Sequence, residues 1–238
     1  MSTKFQDKHV LMFSGGLDSY LAYLVLRDND IDPQLVYANL GHRYMETEWA
    51  AAQALAISHG KDLFTDNALR LGGREEENAF IPNRNGFLAM IGAFYGNHIW
   101  MAIMDGEQSY HDCKEGTFVA MSMALTALSG KSTLVDSPFW DKTKTEVIRA
   151  LDPKYYGLLT KTRSCHHQHL FQGEHCGECP ACFRRWVAFS LNGIKDKYVH
   201  LPWSSAVAAA YYRKASKGEY GPKRSQEILD ALAREGIF

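Results

Sequence analysis

The chain of 238 residues is defined first by what it lacks. No stretch approaches the roughly 20 uninterrupted apolar residues of a membrane span, although 46% of the residues are apolar. Charge of one sign is not in excess, because 26 Lys and Arg against 27 Asp and Glu leave a net −1. That balance argues against nucleic acid as the partner, and nothing suggests a membrane partner. Proline is scarce, at 7 residues beside 19 glycines, and with the apolar content this excludes fibrous, low-complexity and disordered chains. No internal repeat is visible. The N-terminus carries charge where a secretory signal would carry an apolar run, so a cytoplasmic location is expected. The length suits one large domain with a sizeable core.

Cysteine is also sparse, but its placement is informative. Cys113 stands apart, whereas Cys165, Cys176, Cys179 and Cys182 fall within eighteen residues. In a reducing compartment such clustering points to metal before disulfides. Two Cys-x-x-Cys steps share Cys179, and Cys165 completes a closed tetrahedral set for Zn²⁺, as in a structural clip. A redox pair would need only one such step. An iron–sulfur centre fits the same spacing, and His166, His167, His169 and His175 lie close enough to replace Cys165 or to stand behind the ligands.

Short apolar runs at 10–13, 35–38, 61–64, 99–104 and 133–135 read as strands. Helical spacing covers 17–27, 46–59, 85–95 and 118–128 between them. This alternation predicts an α/β fold with an open, doubly wound parallel sheet. After about Asp141 only helices are expected, at 143–151, 180–191, 205–214 and 225–234. The expected division is an α/β domain over 1–151 and a small helical zinc-binding region over 152–238.

Ser14-Gly15-Gly16-Leu17-Asp18-Ser19 lies between the first strand and the first helix. Ligands of open parallel sheets bind outside the carboxyl ends of the strands, and a helix N-terminus there offers free N–H groups to a phosphate. Two glycines allow close approach, and Ser14 and Ser19 add donors. Asp18 suits a helix cap or a bound Mg²⁺. The string is neither a Walker loop nor a dinucleotide fingerprint.

This string resembles the pyrophosphatase loop of enzymes that split ATP between the α- and β-phosphates and adenylate a substrate oxygen. The implied architecture is adenine-nucleotide α-hydrolase-like, with Phe13 to Ser19 holding ATP. NAD synthetases, tRNA thiolases and argininosuccinate synthases look alike there. With the cysteine cluster, the chain resembles the 7-cyano-7-deazaguanine synthase (QueC-like) family of the queuosine pathway. Leu40-Gly41-His42-Arg43 is similar to the family's Tyr-Gly-Gln-Arg, and Ile81-Pro82-Asn83-Arg84-Asn85 to its Val-Pro-x-Arg-Asn. Ser137-Pro138 with Lys144 is like its Pro…Lys segment, and Asp112-Cys113-Lys114 is like its Asp-Cys-Arg.

The resemblance implies a C–N bond-forming ligase that uses ATP and Mg²⁺ to adenylate 7-carboxy-7-deazaguanine. Ammonia then gives an amide, and a second activation gives the nitrile, preQ0. By the same resemblance Ser14, Asp18, Ser19 and Lys144 are catalytic. Arg43, Arg84, Asn85, Asp105 and Asp112 bind substrate, and the protein is a homodimer. The departures are His111 for Pro, Lys114 for Arg, Gly106 where the family's Asp is expected, and a longer Cys165–Cys176 interval. Divergent relatives in anti-phage systems join the activated deazaguanine to a protein amine, and a basic, tyrosine-rich tail (Tyr211 to Arg224) fits such an acceptor or a dimer contact. A tRNA thiolase and a retired nucleotide-binding scaffold are the remaining alternatives.

Overall fold

The computed structural model describes residues 8–108, 110–167 and 174–237. Five strands form one parallel sheet: β1 (His9–Met12), β2 (Gln34–Ala38), β3 (Leu63–Asp66), β4 (His98–Trp100) and β5 (Leu134–Asp136). Their spatial order is β3-β2-β1-β4-β5, and every pairing is parallel. Successive side chains of a strand point to opposite faces, and the two faces are buried differently. Leu11, Phe13, Leu35, Tyr37 and Trp100 pack under α1 (Leu17–Asp28), α2 (Met45–Ser58) and α5 (Lys144–Ala150). Val10, Met12, Val36, Ile99, Met101 and Val135 pack under α3 (Arg84–Tyr95) and α4 (Glu115–Ser129). Helices on both faces make the sheet doubly wound, and its order reverses between β1 and β4.

Two strands differ from the sequence expectation for identifiable reasons. The run at 99–104 becomes a strand only to Trp100, because the Ser137 hydroxyl takes both the N–H (3.1 Å) and the carbonyl (2.8 Å) of Ile103. The strand expected at 61–64 starts later, at Leu63, because Lys61 N–H closes the end of α2 on Ala56 O (2.9 Å). The short helix α6 (Tyr156–Leu159) carries no periodicity that would reveal it.

α7 (Pro180–Leu191) faces two cores. Ala188 and Phe189 join the core beneath α1, while Phe183, Trp186 and Val187 pack on α8 (Ala206–Ala215) and α9 (Pro222–Arg234). The late tyrosines are used inside this packing: Tyr211 lies 4.7 Å from the Phe183 ring and stacks on Tyr220 at 5.2 Å. Among the described residues no helix is long and apolar enough to cross a membrane.

Arg185 of α7 is completely buried and satisfied on every side. It donates to Asp196 Oδ2 (2.6 Å), Thr162 Oγ1 (2.5 Å) and Leu159 O (2.9 Å), and covers the Phe189 ring at 4.4 Å. Removing it strands a buried carboxylate and a carbonyl. Arg185→Ala is expected to lower stability by about 3–5 kcal/mol, read from the urea midpoint. Arg185→Lys should recover only part, since an ammonium cannot serve three separate acceptors in that fork.

Candidate active site and metal centre

The loop after β1 is shaped by packing before any ligand is considered. Gly15 has φ +74°, and a Cβ there would lie 2.3 Å from Ala52 N of α2, so only glycine lets the two backbones pass. Arg163 N–H also donates to Gly15 O (2.8 Å). Ser14 Oγ accepts from Gly16 N–H (3.2 Å) and lies 3.3 Å from Ser19 Oγ, while Ser19 Oγ donates to Gly16 O (3.1 Å). α1 begins without a side-chain cap, which leaves its first-turn N–H groups for a ligand.

These residues open onto a cleft at the carboxyl ends of β1, β2 and β4, the position expected at a topological switch point. Phe13, Ser14, Asp18, Ser19, Arg84 and Asn85 line it together, as do His42 and Glu48. The exposed Arg84 enters from the start of α3. Asn85 is buried and committed locally: its N–H donates to Asp112 Oδ2 (3.1 Å), and its amide donates to Asp112 O (3.1 Å) and Cys113 Sγ (3.3 Å). The Asp112 carboxylate thus caps the first turn of α3. Burial beside Asp112 pushes the Cys113 thiol up to about 11, so it stays protonated.

Of the residues expected to bind substrate, Arg84 and Asn85 line this cleft, whereas Asp112, Arg43 and Asp105 do not. Arg43 is held by Glu75, through its Nε (2.8 Å) and its backbone N–H (2.8 Å), and by the Glu76 carbonyl. It lines a separate pocket with His166, His167 and Pro180. Asp105 donates its N–H to Lys142 O (3.0 Å) and does not line the cleft.

Lys144 starts α5 and is 5% exposed, which requires compensation of its charge. It pairs with Asp18 Oδ1 (2.9 Å) and with Glu107 Oε1 (3.1 Å), and Arg184 Nε of α7 stands 3.9 Å from the same Glu107 oxygen. Burial raises the Asp18 carboxyl, with Lys144 opposing it. Burial would raise Glu107 too, but Lys144, Arg184 and Arg224 outweigh it and bring it to about 2. Arg224 is buried and pairs with Glu227 (3.2 Å). It also explains Gly106, because a Cβ there would meet Arg224 Cβ at 2.5 Å. The α9 contact therefore replaces any side chain at that position.

The four clustered cysteines converge. Their Sγ atoms all lie within 4.8 Å of one another and all four residues are buried. Cys176 and Cys182 Sγ are 3.7 Å apart, close to the edge of about 3.8 Å that a tetrahedron of 2.3 Å Zn–S bonds requires. Backbone N–H groups of Cys176, Glu178 and Cys182 point at these sulfurs, at 3.3–3.5 Å, which favours thiolates. Gly177 is required at φ +81°, where a Cβ would strike His200 O. The set could hold one metal ion such as zinc, and this convergence suits a single ion better than a cluster spread over several irons. His175 is turned away: it accepts from Ser164 N–H (3.3 Å) and lies 3.9 Å from Asp196. Burial lowers it to about 3, with Arg185 adding to the effect. His166 stacks on Tyr44, and His169 lies outside the described residues.

Sequence reasoning missed His42, Glu48, Glu107 and Arg184. The His42–Glu48 spacing into the first turn of α2 was a usable local signal. Glu107 and Arg184 have none, since tertiary packing alone brings them to Lys144.

Two outcomes follow from these contacts. Elemental analysis should find one metal ion per chain, and Cys182→Ser should reduce that content and lower the melting temperature. Glu107 is more acidic folded than unfolded, so its contribution is present above about pH 4.5 and is lost as pH falls toward 2. The stability of Glu107→Gln should accordingly fall less steeply than the wild type across that window in acid titrations.

Comparison with known proteins places this geometry. The family described as Queuosine biosynthesis protein QueC matches residues 61–193. A 7-cyano-7-deazaguanine synthase from Staphylococcus aureus (strain bovine RF122 / ET3-1) is 26% identical, over 75% of this chain and 90% of its own length. With a parallel sheet, a cleft at its switch point and four converging thiols already in place, the match over more than half of its length shows that the chain belongs to the QueC family.

Proposed function

We propose that the protein is an ATP-dependent C–N ligase acting on 7-carboxy-7-deazaguanine. The substrate carboxylate attacks the α-phosphorus, the bond to the β-phosphate oxygen breaks, and pyrophosphate leaves. The acyl-adenylate then reacts with an amine, ammonia in the simplest case, to give the 7-amido compound and AMP. A second activation of the amide gives 7-cyano-7-deazaguanine, the compound named in the synthase relative. Carboxylates are poor electrophiles, and the AMP leaving group supplies what they lack.

The uncapped N-terminus of α1, flanked by Ser14 and Ser19 and opening onto the same cleft as Arg84, carries this reading. Those N–H groups and hydroxyls suit phosphate oxygens, and the Arg84 guanidinium suits a carboxylate or phosphate. Mg²⁺ offsets phosphate charge when bound, and Asp18 is the carboxylate placed to hold it. Lys144, between Asp18 and Glu107, is ready to share its charge with an incoming anion. Zn²⁺ in the four-cysteine site is proposed as a structural clip with no open position.

The test is incubation with ATP, Mg²⁺ and 7-carboxy-7-deazaguanine, with and without ammonium, following AMP, pyrophosphate and product mass. AMP should require the deazaguanine, and Lys144→Ala should lower kcat/KM by about 10²-fold or more. Absence of AMP and pyrophosphate under every condition would refute the proposal. Conversion that stops at the amide would direct attention to a different amine acceptor.

A further inference from the structure

His42 follows the second strand, in a segment similar to one that carries Gln at this place. It is 7% exposed, lines the cleft with Ser14, Asp18 and Arg84, and pairs through Nε2 with Glu48 Oε2 at 2.9 Å. A carboxylate that accepts the Nε2 proton fixes the tautomer, so Nδ1 carries the free lone pair. Among the described residues Nδ1 makes no hydrogen bond. The edge-on Tyr44 ring, 4.4 Å between centroids, holds the imidazole plane.

The other titratable groups lining the cleft are committed or unsuited to accepting a proton. Asp18 is paired with Lys144 at 2.9 Å. Glu48 is engaged by His42, and the Tyr37 hydroxyl donates to Met45 O (2.9 Å). Arg84 presents N–H donors and no lone pair that could accept a proton. An imidazole with one free nitrogen, set in place by a carboxylate, is the group lining the cleft that keeps a lone pair open to a proton.

We infer that His42 is the proton acceptor for the amine that attacks the activated acyl group, with Glu48 as its positioning residue. This inference rests on the adenylation reading above. The amine lone pair forms the C–N bond and one N–H proton passes to His42 Nδ1. The C–O bond to the AMP phosphate breaks, and AMP leaves with the bonding pair. His42 then returns its proton to water. Activation of the carboxylate needs no such acceptor, because its oxygen attacks already deprotonated.

The two half-reactions separate the outcomes. In His42→Gln, deazaguanine-dependent exchange of labelled pyrophosphate into ATP should persist within about threefold. Ammonia-dependent amide formation should fall by about 10²-fold or more. Hydroxylamine, a stronger nucleophile, should still trap the acyl-adenylate in the variant. Glu48→Gln should lower kcat for amide formation far more than pyrophosphate exchange, with Glu48→Asp recovering part of it, which a purely structural contact would not do. Equal losses of exchange and amide formation would make His42 an ATP ligand and overturn the assignment. Undiminished amide formation in His42→Gln would overturn it as well. Absence of exchange in the wild type would instead remove the adenylation reading beneath it.

Discussion

A lysine ammonium held almost out of water is the constraint around which the site is built. Lys144 can be charged at its position only because carboxylates reach it from two directions: Asp18 from the first turn of α1, and Glu107 from the loop after β4. A lone buried ammonium would cost several kcal/mol. Strand β1 with its loop, the β4–α4 connection, and α5 are therefore bound to one another through a single nitrogen. Arg184 extends the arrangement to α7, and Arg224 extends it to α9. The charge balance that looked featureless along the sequence is, in this region, a set of opposite charges gathered around one buried lysine.

The late helices take part in the site through the same contacts. Arg224 lies against Gly106, one residue from Glu107, and Glu227 accepts a hydrogen bond from Thr143, the cap of α5. Part of what reads along the chain as a basic, aromatic tail is occupied: Arg224 with Glu227, Lys223 with Glu146, Tyr211 with Tyr220 and Phe183, while Arg213, Lys214 and Lys217 are exposed. The convergent cysteines and the buried Arg185 anchor the start of this assembly, tying residues 159–165 and 175–185 to one helix. A metal ion held by the four thiols would do the same physical work as the guanidinium, gathering several acceptors around one positive centre.

Legibility followed locality. The loop at residues 14–19, the two-faced burial of the strands and the thiol cluster were readable because each depends on residues close in sequence or on a period of two or 3.6. The same reasoning gave two glycines one purpose, approach to an anion, whereas Gly15 also lets the backbone of α2 pass. Arg43 and Asp105 sit in recognisable segments, and their contacts here are to Glu75 and to Lys142 O. Whether a charged side chain faces a cleft or a neighbouring carboxylate depends on partners such as Glu75, thirty-two residues away.

Residue order alone determined the parallel sheet, its helical cover, the loop at its carboxyl edge and the four thiols. Local periodicity, turn chemistry and short ligand spacing act within a few residues and survive in any register of the chain. Only the tertiary structure decided that Lys144 would be shared by Asp18 and Glu107, that Arg224 would require Gly106, and that His42 would be aligned by Glu48. Those outcomes rest on burial and distance, which raise the cost of an unpaired charge and which no local pattern encodes.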